Sequence, residues 1–252
     1  MGRKNPLVSI ITPSYNAAEF ITETIRSVRR QTFKDWEMII VDDCSTDRTR
    51  DILEKFAEED VRIRVIPLEE NSGAAVARNT ALAKAAGRYI AFLDSDDCWK
   101  PEKLDSQLRF MQIHDYAFTF TGYELINADS IPINKKVFAP EKVNYESMLK
   151  NTIVGTLTVM IDTKQTGPIQ MPNIRTRQDL ATWLSLLKKG FTAYGLNENL
   201  AEYRVGNASI SKNKWKAAKM NWFVYRELEK LSFSKACWCF SHYAYRAVLK
   251  RI

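Results

Sequence analysis

Four short, apolar, β-branched runs, at residues 7–12, 36–41, 62–66 and 89–93, punctuate the first hundred residues. Each is too short for a buried helix and is separated from the next by a helix-length segment. The first intervening segment places Ile21, Ile25 and Val28 on one face. The second places Ile52, Leu53 and Phe56 together, with Ser45 or Thr46 available as its cap. The third is alanine-rich, runs over residues 73–86 and reads as stopping at Gly87, a C′ glycine. Strands alternating with helices imply right-handed βαβ units and a largely parallel sheet. After Asp97 the pattern loosens. A helix is expected over 101–113, strands of mixed direction over 116–121 and 157–161, and a helix over 178–189 with Leu180, Trp183, Leu184 and Leu187 on one side. The expected fold class is α/β, a Rossmann-like open mixed sheet flanked by helices. No repeat or low-complexity linker interrupts it, so the boundary near residue 98 reads as two halves of one domain.

In an open parallel sheet, ligands bind beyond the carboxyl ends of the strands. The residues that follow the four strands are Pro13-Ser14-Tyr15-Asn16, Asp42-Asp43-Cys44-Ser45-Thr46-Asp47, Asn71-Ser72-Gly73 and Asp94-Ser95-Asp96-Asp97. All four are polar and two contain paired acids, which the topology gathers at one sheet edge. One acidic turn is readily structural, because Asp caps helices and bends turns; Asp47 alone fits that description. Two clusters after predicted strands are a stronger signal. Asp94 and Asp96 stand at i and i+2, close enough to share a hard cation such as Mn²⁺ or Mg²⁺, which prefers oxygen ligands and brings phosphates with it. The chain has no P-loop and no G-x-G-x-x-G, so phosphate charge would fall to the cation and to a base such as Arg78.

Other chemistries are poorly served. The only histidines are His114 and His242, in no metal-ligand spacing. No G-x-S-x-G or H-E-x-x-H occurs. The four cysteines, Cys44, Cys98, Cys237 and Cys239, show no zinc spacing and read as free thiols. No apolar stretch reaches the length of a membrane span, and the N-terminus lacks a secretion-signal pattern, so a cytoplasmic location is expected.

Together, Val8-Ser9-Ile10-Ile11-Thr12-Pro13-Ser14-Tyr15-Asn16, Ile40-Val41-Asp42-Asp43-Cys44-Ser45-Thr46-Asp47, Ala77-Arg78-Asn79 and Phe92-Leu93-Asp94-Ser95-Asp96-Asp97 resemble the inverting GT-A glycosyltransferases of family 2. The order and spacing match over about residues 6–110. The general appearance is similar to bacterial enzymes that build cell-wall or capsular polysaccharides, such as teichuronic acid glycosyltransferases. The resemblance implies a nucleotide-binding half (1–98), an acceptor half (99–211) and a helical basic segment (212–252). It implies that Pro13, Tyr15 and Asn16 lie in the loop against the uracil of a UDP-sugar, and that Asp43 accepts a hydrogen bond from that ring. Arg78 matches the basic residue near base and phosphates. Asp94-Ser95-Asp96 matches the DxD, with Asp96 the more direct metal ligand and Asp94 nearer the ribose. Cys44 departs from the family, which usually has Gly or Asn there.

The resemblance also implies a catalytic acid opening a helix that ends about ten residues later in Gly. Here Arg177-Gln178-Asp179-Leu180 opens the helix that ends at Gly190, so Asp179 matches the base, with Gln178 where Glu is usual. Tyr203-Arg204 and Ser209-Ile210-Ser211 resemble the loop that closes over the donor diphosphate, making Arg204 a phosphate-contact candidate. The implied reaction is metal-dependent inverting transfer from a UDP-sugar to a hydroxyl of a glycan or lipid-linked acceptor. Transfer to a polyprenyl phosphate, and a non-catalytic nucleotide-binding subunit of a polysaccharide assembly complex, stand as alternatives. Processive relatives usually add transmembrane helices and a Q-x-x-R-W motif; neither is present, so single additions are expected.

The charge is asymmetric. The chain has a net charge of +7, yet residues 212–252 hold 10 basic and 2 acidic residues while residues 1–211 hold 27 basic and 28 acidic. Aromatics such as Trp215, Trp222, Trp238 and Tyr245 are interleaved with these bases. Three readings follow: helices packed on the domain with solvated lysines, a surface for anionic membrane lipid, or a single-strand nucleic-acid binder. The acidic strand ends argue against nucleic acid, and none is expected as a partner.

Overall fold

The computed structural model describes residues 5–206 and 214–249. The chain opens with β1 (Val8–Ser14), α1 (Ile21–Arg29), β2 (Trp36–Asp42), α2 (Thr49–Glu59), β3 (Ile63–Pro67), α3 (Ala74–Lys84) and β4 (Tyr89–Phe92). It continues through β5 (Cys98–Trp99), α4 (Lys103–His114), β6 (Phe118–Ile126), β7 (Pro132–Val137), β8 (Lys142–Val143), α5 (Tyr145–Lys150), β9 (Met160–Asp162) and α6 (Thr163–Thr166). The last elements are α7 (Gln178–Lys188), β10 (Ala193–Arg204), α8 (Lys214–Phe223), a π-helical turn at Val224–Leu228 and α9 (Phe233–Leu249).

The strands form one mixed sheet in the order β3-β2-β1-β4-β9-β6-β10-β5, with β7 beside β6 and β8 beside β10. β3, β2, β1 and β4 are mutually parallel. β9 then runs antiparallel to both β4 and β6, and β10 returns parallel to β6. The sheet therefore crosses the boundary near residue 98 without interruption.

Helices cover both faces, which is why β1 and β2 are buried at every position and read as continuous apolar runs. Alternate residues serve opposite cores. Ile11, Ile39, Val41 and Phe92 join α3 and α7 in one core; Ile10, Met38, Ile40 and Leu93 join α1, α2 and α4 in the other. Fully burying each such side chain contributes about 1.5–3 kcal/mol. Truncating Ile39 to Ala would therefore cost about 2–5 kcal/mol once the cavity is included.

Two local expectations need correction. α2 begins at Thr49 rather than behind Ser45 or Thr46, with Arg48 as its N-cap residue. The Ser45 hydroxyl instead donates to Asp42 Oδ1 at 2.5 Å, and the Thr46 N–H donates to Asn16 Oδ1. α3 ends at Lys84, and Gly87 is not its C′ residue. Gly87 is required by close approach: a Cβ there would lie 2.6 Å from the backbone nitrogen of Ser9. Gly190 does follow α7 with φ +98°, as a helix-terminating glycine should.

The C-terminal helices are anchored on the domain. Val224, Tyr225, Ala236 and Cys239 enter the same core as β1 and α7. The Tyr225 hydroxyl donates to the Leu149 carbonyl, Tyr145 Oη donates to Glu229 at 2.6 Å, and Lys188 Nζ pairs with Glu229 at 3.1 Å. Among the described residues no helix is long and apolar enough to cross a membrane.

Candidate active site

The parallel strands deliver the expected residues to one sheet edge. Pro13 is buried at the end of β1, whereas the next ring, Tyr15, is 49% exposed. Asn16 sits at φ +47°, and its Oδ1 accepts the Thr46 N–H at 2.8 Å while its own N–H donates to the Ser45 hydroxyl at 2.9 Å. This locks the loop after β1 to the loop after β2. Asp47 stitches the same loops structurally, accepting from the Thr49 hydroxyl at 2.5 Å and the Ala18 N–H at 3.2 Å.

Asp43 is almost wholly buried. Its Oδ1 accepts the Ser72 N–H at 2.7 Å and its Oδ2 the Gly73 N–H at 2.8 Å, so it fastens the start of α3 to the end of β2. α3 in turn presents Arg78, whose Nη2 lies 2.5 Å from Asp94 Oδ1. Arg78 Nε is buried without a hydrogen-bond partner.

Asp94, Asp96 and Asp97 crowd one short loop after β4. Asp97 is fully buried and accepts the Arg204 N–H at 2.9 Å; burial, aided by Asp96 and Asp94, holds its carboxyl well above the usual range. Asp96 is open to solvent by area, yet surrounding atoms and the Asp94 charge push its carboxyl up to about 6. Among the described residues no three His, Cys, Asp or Glu side chains gather into a complete metal cage. The Asp94 and Asp96 carboxylates, left to share a cation with substrate phosphates, nevertheless fit a hard divalent ion.

Arg204, the phosphate-contact candidate, turns its guanidinium into the protein. It is buried, with Nε donating to the Asp96 carbonyl at 2.7 Å, Nη1 to the Ala128 carbonyl at 2.8 Å and the Ser130 hydroxyl at 2.9 Å, and Nη2 to Glu23 at 2.7 Å. With these donors engaged by protein, Arg204 scaffolds the acidic loop. Ser209-Ile210-Ser211 lies outside the described residues.

Asp179 lies in the first turn of α7, and its Oδ2 accepts the Thr156 hydroxyl at 2.9 Å. A cavity of about 280 Å³ is lined by Asp94 and Asp97 from the strand edge and by Asp179, Arg177, Thr156 and Trp183 from the second half. Tyr123 and Tyr203 also line it, with their rings 5.9 Å apart. The cavity thus joins Asp94 to Asp179; Pro13, Tyr15, Asn16, Asp43 and Arg78 lie outside its wall. Thr156, Tyr123 and Arg177 carried no assignable role in the sequence. Arg177 is recognisable only afterwards, from the φ of +68° that opens α7 and from its Nη2 bond to the Tyr243 hydroxyl at 3.0 Å. His114 stacks on Tyr116 and His242 packs edge-on against Trp238, so neither serves the site.

An open sheet with a DxD at its parallel edge, joined to an acid across a cavity, defines a GT-A glycosyltransferase. The chain belongs to glycosyl transferase family 2, whose profile matches residues 9–166. It is 66% identical over 247 residues to TuaG of Bacillus subtilis (strain 168), a glycosyltransferase named for teichuronic acid biosynthesis, covering 98% of each chain. It is 43% identical over 219 residues to the Escherichia coli UDP-Glc:alpha-D-GlcNAc-diphosphoundecaprenol beta-1,3-glucosyltransferase WfgD, covering 86% of this chain and 85% of that one. The fold matches TarS 1-349 of S. aureus in complex with UDP-GlcNAc at TM-score 0.69 and 21% identity, over 87% of this chain and 66% of that one. It also matches the mannosyltransferase PcManGT of Pyrobaculum calidifontis in complex with GDP-Man and Mn2+ at TM-score 0.69 and 18% identity, over 91% and 66%. The chain therefore spans about two thirds of these solved structures.

Proposed function

We propose that this enzyme transfers a sugar from a UDP-sugar, with inversion, to a hydroxyl of a lipid-linked glycan during bacterial cell-surface polysaccharide synthesis. The observation that carries the reading is a cavity bounded by Asp94 on the proposed donor side and Asp179 on the other. The names of TuaG and WfgD, the latter a glucosyltransferase acting on a diphosphoundecaprenol-linked sugar, supply the substrate class.

The exposed Tyr15 ring, with Pro13 and Asn16, forms one wall for the base, and Asp43 lies beside it within the loop it fastens to α3. Asp94 and Asp96 would hold Mn²⁺ or Mg²⁺, and a divalent ion there would offset the charge of the donor diphosphate. Arg78 adds fixed positive charge from α3. Asp179 takes the proton of the acceptor hydroxyl. The hydroxyl oxygen then bonds to the anomeric carbon while the bond from that carbon to the UDP oxygen breaks, its electron pair leaving with UDP. Thr156 holds the Asp179 carboxylate in place through its hydroxyl. A base across the cavity favours a hydroxyl acceptor over a polyprenyl phosphate, which is already ionised, and over a binding subunit, which needs no base.

Calorimetric titration of UDP, with and without Mn²⁺, on the wild type and on Asp96→Ala tests the donor class. Metal-dependent binding that disappears in the variant is expected. A folded protein that ignores UDP in both conditions would overturn the donor assignment.

A further inference from the structure

α9 is apolar on two sides. Ala236, Cys239, Phe240 and Tyr243 follow an i, i+3, i+4, i+7 pattern and turn toward the domain; Ala236 and Cys239 are completely buried. The opposite stripe, Ser234, Cys237, Trp238, Ser241 and Tyr245, is at comparable spacing and is exposed. Trp238 is 60% and Tyr245 64% exposed, and Phe233 at the helix start is 66% exposed. This outer stripe contains no charged residue, and no Asp or Glu occurs anywhere in residues 231–252. A helix that is hydrophobic all round is normally covered on all sides. α8 repeats the pattern in brief: Trp215, Lys219 and Phe223 stand at i, i+4 and i+8, all exposed.

We propose that the outward stripe of α9, centred on Trp238 and Tyr245, rests in the interface of an anionic bilayer. The proposal deepens the lipid-linked acceptor reading and rests on it for its purpose. Charge selects the occupant. The segment carries 10 basic against 2 acidic residues, so a second copy would bring two positively charged segments together, whereas anionic headgroups complement them. Trp and Tyr are also the side chains that suit the headgroup boundary, with an apolar ring and a polar tip. The other face of the same helix connects to the site, since the Tyr243 hydroxyl accepts from Arg177, which lines the cavity. The lipid face and the cavity wall thus lie on either side of one helix, whose diameter is about 10–12 Å. That arrangement presents the cavity to a sugar held at the membrane by its lipid.

Flotation with vesicles of equal parts phosphatidylglycerol and phosphatidylcholine, and with phosphatidylcholine alone, tests the surface on the full chain. The wild type should float with the anionic vesicles. Trp238→Ser combined with Tyr245→Ser should lower that partition by about tenfold or more. UDP binding should be equal in the two proteins, and turnover should fall only on vesicle-embedded acceptor, not on a short-chain water-soluble one. A wild type that stays with the soluble fraction overturns the proposal, as does a double variant that floats equally well. A dimer in light scattering that the double variant abolishes, without vesicle binding, would assign the stripe to a second copy. Loss of UDP binding in both proteins with flotation intact would instead remove the donor reading and leave the surface standing.

Discussion

The Nε of Arg204, at the end of β10, donates to the backbone carbonyl of Asp96 at 2.7 Å, tying the far half of the sheet to the acidic loop. The Arg204 N–H reinforces this by donating to Asp97, and the guanidinium also serves the Ala128 carbonyl. Arg204→Met would leave buried carbonyls without donors at about 1–3 kcal/mol each. The expected loss of stability is about 2–4 kcal/mol, with Arg204→Lys intermediate because one ammonium cannot reproduce the planar fork. Urea denaturation followed by UDP titration checks this. A residue acting only on the diphosphate would weaken UDP binding and leave the unfolding midpoint alone; a scaffold moves the midpoint first.

Asp179 and Thr156 form a pair with separable contributions. Removing the proposed proton acceptor by Asp179→Asn should lower kcat by about 10²–10⁴-fold, the usual range for a general base. Thr156→Val removes the hydroxyl that holds the carboxylate while retaining the acid, and should cost only about tenfold. UDP affinity should be unaffected in both, because neither residue lies at the strand edge proposed to hold the donor. Steady-state kinetics on a single UDP-sugar, with calorimetry on the same samples, separates the two effects. Equal kcat for Asp179→Asn and wild type would remove Asp179 from the chemistry.

The polar edge of the sheet was legible because parallel strands buried on both faces are written as unbroken apolar runs, and the residues just after them fall at one edge. The second half obeys no such pattern. β10, with the sequence Ala-Tyr-Gly-Leu-Asn-Glu-Asn-Leu-Ala-Glu-Tyr-Arg, is half exposed and shifts register at Leu196, Asn199 and Ala201, so no period-2 alternation survives. Thr156 opens a short 3-10 turn, Thr156–Thr158, and gave no signal, since a hydroxyl becomes a positioning group only through what it faces. The inward bonding of Arg204 was not legible, because a long cationic side chain near a phosphate motif reads the same whether its fork points outward or is folded into carbonyls. Gly87 was seen as a glycine with a purpose, but sequence cannot distinguish a left-handed φ from a strand passing at 2.6 Å.

Lys103 is fully buried in α4, its Nζ 3.8 Å from the Trp99 ring centroid and without a hydrogen-bond partner. Burial alone drives its amine well below the ordinary lysine value. The unfolded chain therefore binds a proton that the folded chain resists, so the residue costs stability below pH of about 10 and the cost fades as pH rises toward it. Lys103→Met keeps the length and drops the amine. Allowing for the lost ring contact, it should gain about 1–2 kcal/mol at pH 7. The gain should shrink between pH 8 and about 10, which thermal melts over that range would follow. A variant that is less stable at pH 7 would show that the cation–ring contact outweighs desolvation.

Cys44 holds φ +62° in the turn after β2, the left-handed region where a side chain costs about 1–2 kcal/mol and which Gly or Asn enters most readily. Among the described residues its side chain makes one long polar contact, Sγ to the Glu69 carbonyl at 3.6 Å. The turn matters because it follows Asp43 directly, and Asp43 clamps Ser72 and Gly73 at the donor edge. Cys44→Asn should therefore stabilise the fold by about 0.5–1 kcal/mol. Cys44→Val, branched at Cβ, should destabilise it by about 1–2 kcal/mol. The test is the urea midpoint at constant slope, read beside UDP affinity. Asn should leave affinity unchanged, because it favours the geometry already present, whereas Val should weaken stability and binding together, because relaxing the turn moves Asp43 and with it the loop that carries the start of α3.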